Sequence, residues 1–88
     1  MRIHTTAVPA TKYLPERIHV KLTNDQDVPN NIKDKTYNYS LFDSSEDEQK
    51  HRNAALHFAG CLGYTIVLKT LGETLTRRGW KYEVVEIV

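Results

Sequence analysis

Cysteine is nearly absent from this 88-residue chain, where Cys61 stands alone. One thiol excludes an internal disulfide, and it excludes a zinc site built from the cysteines of a single chain. It suits a reducing compartment. An excess of one charge is lacking too. Twelve Lys and Arg face eleven Asp and Glu, for a formal net charge of +1. A dedicated DNA or RNA binder carries a clear basic surplus, so nucleic acid is not the favoured partner, although a local basic patch is compatible with this balance. No stretch reaches the ~20 apolar residues of a membrane span. The start, "MRIHTTAVPATKY", holds no apolar run of signal-peptide length. These absences predict a protein of the cytoplasm that does not enter a membrane.

What is present reads as one α+β domain over residues 1–88. Glu16 to Thr23 alternates, with Ile18, Val20 and Leu22 on one face and Arg17, His19, Lys21 and Thr23 on the other. That period of two predicts a half-buried strand, beginning after Pro15, which cannot donate a ladder hydrogen bond. Upstream, "HTTAV" and "TKYL" each suit a short strand, separated by Pro9. Asn24 to Lys35 is polar and rich in turn formers, which predicts a long hairpin loop. In Thr36 to Phe42, Tyr37, Tyr39 and Leu41 alternate, which predicts a second strand.

A helix follows. Ser44 or Ser45 can cap it, Ser45-x-x-Glu48 has capping-box spacing, and Glu46, Asp47 and Glu48 suit the positive end of the helix dipole. Ala55, Phe58, Ala59 and Leu62 form one apolar stripe, and Gly63 falls where a left-handed terminating glycine belongs. Tyr64 to Leu71 and Trp80 to Val88 read as strands joined by "GETLTRRG". The second slips its alternation at Val84-Val85, the mark of a bulge or of a fully buried end. The predicted architecture has two layers. One main helix lies on a mostly antiparallel sheet of four or five strands, in the order β-β-α-β-β, with room for an extra N-terminal strand.

Few residues suggest chemistry. Cys61 sits near the end of an apolar helix, where a free cysteine acts as a small hydrophobe. His51 and His57 are six apart, which is not a shared-ligand spacing on a helix. His4 and His19 make a poor metal site alone. "SSEDE" lacks EF-hand spacing, and "GETLTRRG" lacks the Gly-Lys-Ser/Thr ending of a phosphate loop. The expectation is therefore no enzyme, no cofactor and no metal. Two patches suit partner binding instead: Arg17, His19 and Lys21 with Tyr13 nearby, and Arg77-Arg78 before Trp80. One helix cannot cover both faces of a sheet, so one face must stay open.

The segments "TKYLP…RIHVK", "TYNYS", "HRNAALHFAGCLGY" and "RRGWKYEVV" together resemble a family of small proteins of unassigned activity found in phages, prophages and plasmids. In that family an opening T-x-Y-L-x-x-T precedes R-I-x-A/V, an H-x-x-A-A helix ends in L-G-W/Y, and an aromatic-rich strand closes the chain. The resemblance spans most of residues 11–88. It departs at "PE", a shortened link between Leu14 and Arg17, and at the long Asn24 to Lys35 segment. It implies a mobile-element protein in a bacterial cytoplasm and transfers no catalytic residues. Such proteins commonly act by binding a host machine. The expected function is therefore inhibition of a bacterial defence system, in the manner of an anti-CRISPR protein, with a host complex such as a Cas effector as partner. The alternative is a nucleic-acid-binding accessory protein using the basic sheet face. An exposed strand edge or open face also allows pairing with a second copy as a homodimer.

Overall fold

A computed structural model of the chain describes residues 1–23, 29–42, 46–73 and 78–87. Five strands and one main helix follow one another as β1 (Arg2–Val8), β2 (Arg17–Thr23), β3 (Pro29–Asn38), α1 (Asp47–Cys61), β4 (Ile66–Glu73) and β5 (Gly79–Ile87). The expected β-β-α-β-β order is there, preceded by the extra N-terminal strand. All pairings are antiparallel, and the sheet order is β3-β2-β1-β5-β4. The first strand thus lies in the centre, clasped by its hairpin partner β2 and by the last strand β5.

Alternation decides what faces the helix. Ile3, Ile18, Val20, Ile66, Leu68 and Tyr82 are buried from the sheet side, and Ala54, Ala55, Phe58 and Ala59 from the helix side, with Leu62 packed at the margin. The three alanines keep the helix backbone low over the strands, and Phe58 fills the space beside them. A comparable approach joins β1 to β5. A Cβ on Gly79 would lie 2.1 Å from the Thr5 carbonyl oxygen, so only glycine fits at that crossing.

The helix ends as its sequence predicts. Gly63 has φ of +90°. Its N–H donates to the Gly60 carbonyl, and the Tyr64 N–H donates to that of Ala59, the paired bonds of a Schellman motif. The predicted cap lies in part outside the described residues, which exclude Ser44 and Ser45. The cap position is Glu46, without a side-chain cap bond. Glu48 is spent elsewhere: its carboxylate accepts from Arg52 and from the Tyr82 hydroxyl. The bulge expected at Val84-Val85 is present. Val67 pairs with Glu86 and Leu68 with Val84, leaving Val85 unpaired and exposed.

Three local expectations are corrected. The Asn24 to Lys35 segment is not all loop, because β3 begins at Pro29. β3 is an edge strand, where proline at the first position forfeits no inner ladder bond, and a register shift between Lys21 and Thr23 absorbs its extra residues. The Thr36 to Phe42 strand stops at Asn38. Residues Tyr39–Leu41 form a 3-10 turn that carries the chain up towards the helix layer, leaving Leu41 65% exposed and burying Phe42 edge-on against Tyr37. "TKYL" is a bend and not a strand. The Thr11 hydroxyl accepts the N–H groups of Tyr13 and Leu14, and the Leu14 carbonyl accepts the Thr11 N–H.

Truncation of the central aromatic tests this core. Phe58→Ala is expected to cost roughly 3–5 kcal/mol, as aromatic truncations in cores do. Chemical denaturation would show it as a lower midpoint. An unchanged midpoint would mean that Phe58 is not packed on the sheet.

Candidate functional site

The face of the sheet turned away from α1 is read off the register. In β2, Arg17, His19 and Lys21 alternate with the buried Ile18 and Val20. Next to them in β1 stand Arg2, His4 and Thr6, because Lys21 pairs with His4 and His19 with Thr6. Beyond β1 the same face carries Lys81 opposite His4 and Glu83 opposite Arg2, and then Lys69 of β4 opposite Glu83. On the other side Asp34 and Thr36 of β3 face Lys21 and His19. Among the described residues, this face holds five Lys and Arg and two histidines against the three carboxylates Asp34, Glu83 and Glu86, the last opposite Val67. No Phe, Tyr or Trp stands on it.

Local bonds hold parts of this surface. His19 Nε2 and Asp34 Oδ2 are 2.8 Å apart, and His4 Nε2 lies 3.1 Å from the buried Thr23 hydroxyl. Arg17 Nε is buried without a hydrogen-bond partner, so the guanidinium keeps a donor unmet by the protein. Tyr13 lies in the bend before β2, 85% exposed with the Lys12 ammonium 5.6 Å over its ring, and the strand register does not bring it onto this face.

The second predicted patch divides differently. Arg77 lies outside the described residues. Arg78 is on the helix side, away from the stripe, and is fully engaged. Its Nε donates to Asp47 Oδ2 at 2.7 Å, and its other nitrogens donate to Asp47 Oδ1, to Glu16 at 3.2 Å and to the Tyr39 hydroxyl at 2.6 Å. The hydrogen bond from Arg78 holds the Asp47 carboxyl below its usual range and raises the guanidinium in turn. Arg78 therefore ties the helix start to the β1–β2 loop and to the turn after β3. Trp80 packs partly against the core, its ring 4.7 Å from that of His51.

His51 is the residue that sequence reasoning passed over. It is fully buried, with Nδ1 2.7 Å from the Thr5 hydroxyl, while Nε2 has no partner. The Thr5 hydroxyl can donate in turn to the Trp80 carbonyl, 3.4 Å away, so Nδ1–H, hydroxyl and carbonyl form one chain. Burial lowers the imidazole pKa to about 4, against an opposing pull from Asp47. The signal was available: His51 is four residues before Ala55 and seven before Phe58, on the same helical stripe.

Cys61 corrects another expectation. It is exposed rather than packed as a small hydrophobe, because the last helical turn rolls it to the flank of the buried stripe. Its Sγ lies 3.6 Å from His57 Nε2, an i,i+4 pairing that the comparison of histidines with one another could not find. Among the described residues no group of three or more His, Cys, Asp or Glu is placed to hold a metal, and no helix is long and apolar enough to cross a membrane. Comparison with family models, with curated proteins and with solved structures finds no match.

The buried imidazole makes stability depend on pH. Its folded pKa of about 4 lies below the unfolded value of 6.5, so between these values the unfolded chain binds the extra proton. The stability contribution is complete above pH 6.5 and is lost as pH falls towards about 4. The shift corresponds to a loss of about 3 kcal/mol. Denaturation series at successive pH values should show this decline in the wild type and a much flatter course in His51→Gln over the same window. Parallel curves would contradict the buried neutral imidazole.

Proposed function

We propose that this protein is a non-enzymatic binding domain that docks its open sheet face on an acidic surface of a bacterial host protein. Its role on this reading is to inhibit a host defence system, such as a Cas effector, for the benefit of a mobile element, and it acts in the host cytoplasm. The observation that carries the binding role is the concentration of Arg2, Arg17, Lys21, Lys69 and Lys81 on one uncovered face of a chain whose net charge is only +1. Such a surface speeds encounter with an oppositely charged partner and selects its orientation. The defence context comes from the sequence resemblance to phage, prophage and plasmid proteins.

The face suits protein better than nucleic acid. Single-strand binders stack bases on aromatic side chains, and none stands here among the described residues. Asp34, Glu83 and Glu86 would repel phosphates while giving a protein partner complementary points. A nucleic-acid accessory role draws on the same cations, and it predicts a steep fall of affinity with salt for any duplex or single strand.

The double substitution Arg17→Glu with Lys21→Glu separates these readings. Folding should change by about 1 kcal/mol or less, because both side chains are only half-buried and, among the described residues, no apolar core packs around them. In host-lysate capture followed by mass spectrometry, the wild type should retain a stoichiometric host protein. The reversed protein should lose it through slower association and should no longer protect phage. Equal capture and protection would refute the proposal. Salt-dependent oligonucleotide binding without a protein partner would establish the alternative.

A further inference from the structure

The flank of α1 opposite the open sheet face carries a second grouping. His57 and Cys61 project from successive turns, and the imidazole is held edge-on by the rings of Tyr37 and Phe42, with centroids at 5.2 and 5.7 Å. Tyr37 is only 7% exposed, yet its hydroxyl has no hydrogen-bond partner. That hydroxyl stands beside the Cys61 thiol, and its pKa is raised first by burial and then by the thiol. An oriented imidazole, a thiol and an unmet buried donor therefore converge on one exposed spot.

The spacing matches metal ligation. Zinc binds thiolate sulfur at about 2.3 Å and imidazole nitrogen at about 2.0 Å, and a tetrahedral angle then sets the two ligand atoms about 3.5 Å apart. The observed separation is 3.6 Å. Cys61 is also the last residue of the helix, where the dipole favours a cation. Among the described residues one chain offers two ligands here, while a closed zinc site takes four.

We propose that Cys61 and His57 form half of a tetrahedral zinc site, completed by the same two residues of a second copy of this chain. The helix surface suits a close approach. Gly60 flanks the two ligands, one turn after His57 and next to Cys61, where an added Cβ would have nothing within 4 Å, and Asn53 extends the patch without charge. A two-fold pairing of such flanks brings together two thiolates and two imidazoles. On binding, each thiol gives up its proton to solvent, and the Tyr37 hydroxyl supplies a donor to the sulfur that orients it. The open sheet face stays uncovered, so this inference does not depend on the proposed host partner.

Cobalt chloride and zinc chloride titrated into the reduced full chain provide the test, read by thiolate-to-cobalt charge-transfer absorbance and by sedimentation velocity. The expected result is saturation at one metal per two chains, with a shift from monomer to dimer that EDTA reverses. Cys61→Ser and His57→Gln should each abolish the band and the shift while keeping the wild-type circular dichroism. Absence of the band at stoichiometric metal, saturation at one metal per chain without dimer, or a metal-dependent dimer in Cys61→Ser would overturn the proposal.

Discussion

One helix can cover only one face of a five-stranded sheet, and most of this molecule follows from that limit. The covered face must supply nearly all of the core, because a chain of this length buries a modest share of its surface. Ala54, Ala55 and Ala59 bring α1 down onto the central strands, and Phe58 and Tyr82 fill the space that remains. Among the described residues no helix or strand packs on the other face. It is therefore polar, and its charges are mostly positive although those of the whole chain nearly balance.

The helix is positioned by polar contacts as much as by apolar ones. Arg78 joins the first helical turn to Glu16 and Tyr39, and Arg52 reaches across to the Leu68 carbonyl and the Thr70 hydroxyl of β4. Exposed ion pairs of this kind contribute little stability each, but they fix the angle at which the helix lies. His51 does the same from within. A buried imidazole bonded to Thr5 specifies one register of helix on sheet, since sliding the helix would strip the imidazole of its one hydrogen bond. Arg78 is thus part of the bracing on the helix side and does not belong to the basic surface of the β2 stripe.

Much of the fold was legible because it rests on local periodicity. The alternation from Arg17 to Thr23, the stripe from Ala55 to Leu62, Gly63 as terminator and the slip at Val84-Val85 are each set by residues close in sequence. What escaped depends on distant partners. Pro29 and the polar residues after it resemble a loop until β2 is there to pair with them. Leu41 continues an alternating pattern that the chain abandons in order to reach the helix layer. Arg17, His19 and Lys21 could be placed on one face from sequence, but Arg2, Lys69 and Lys81 join them only through the register of three other strands. His57 and Cys61 were within reach, since an i,i+4 spacing is local.

The central claim is that the open basic face is where this protein meets its partner. Lysine acetylation footprinting of the free and host-bound chain tests it most directly, because the lysines are divided between the two sides. Lys21, Lys69 and Lys81 belong to the open face, whereas Lys50 sits on the helix, its ammonium 4.6 Å over the Tyr39 ring. The account predicts that binding protects the three sheet lysines and leaves Lys50 as reactive as before. Protection of Lys50 with undiminished reactivity at Lys21, Lys69 and Lys81 would contradict it.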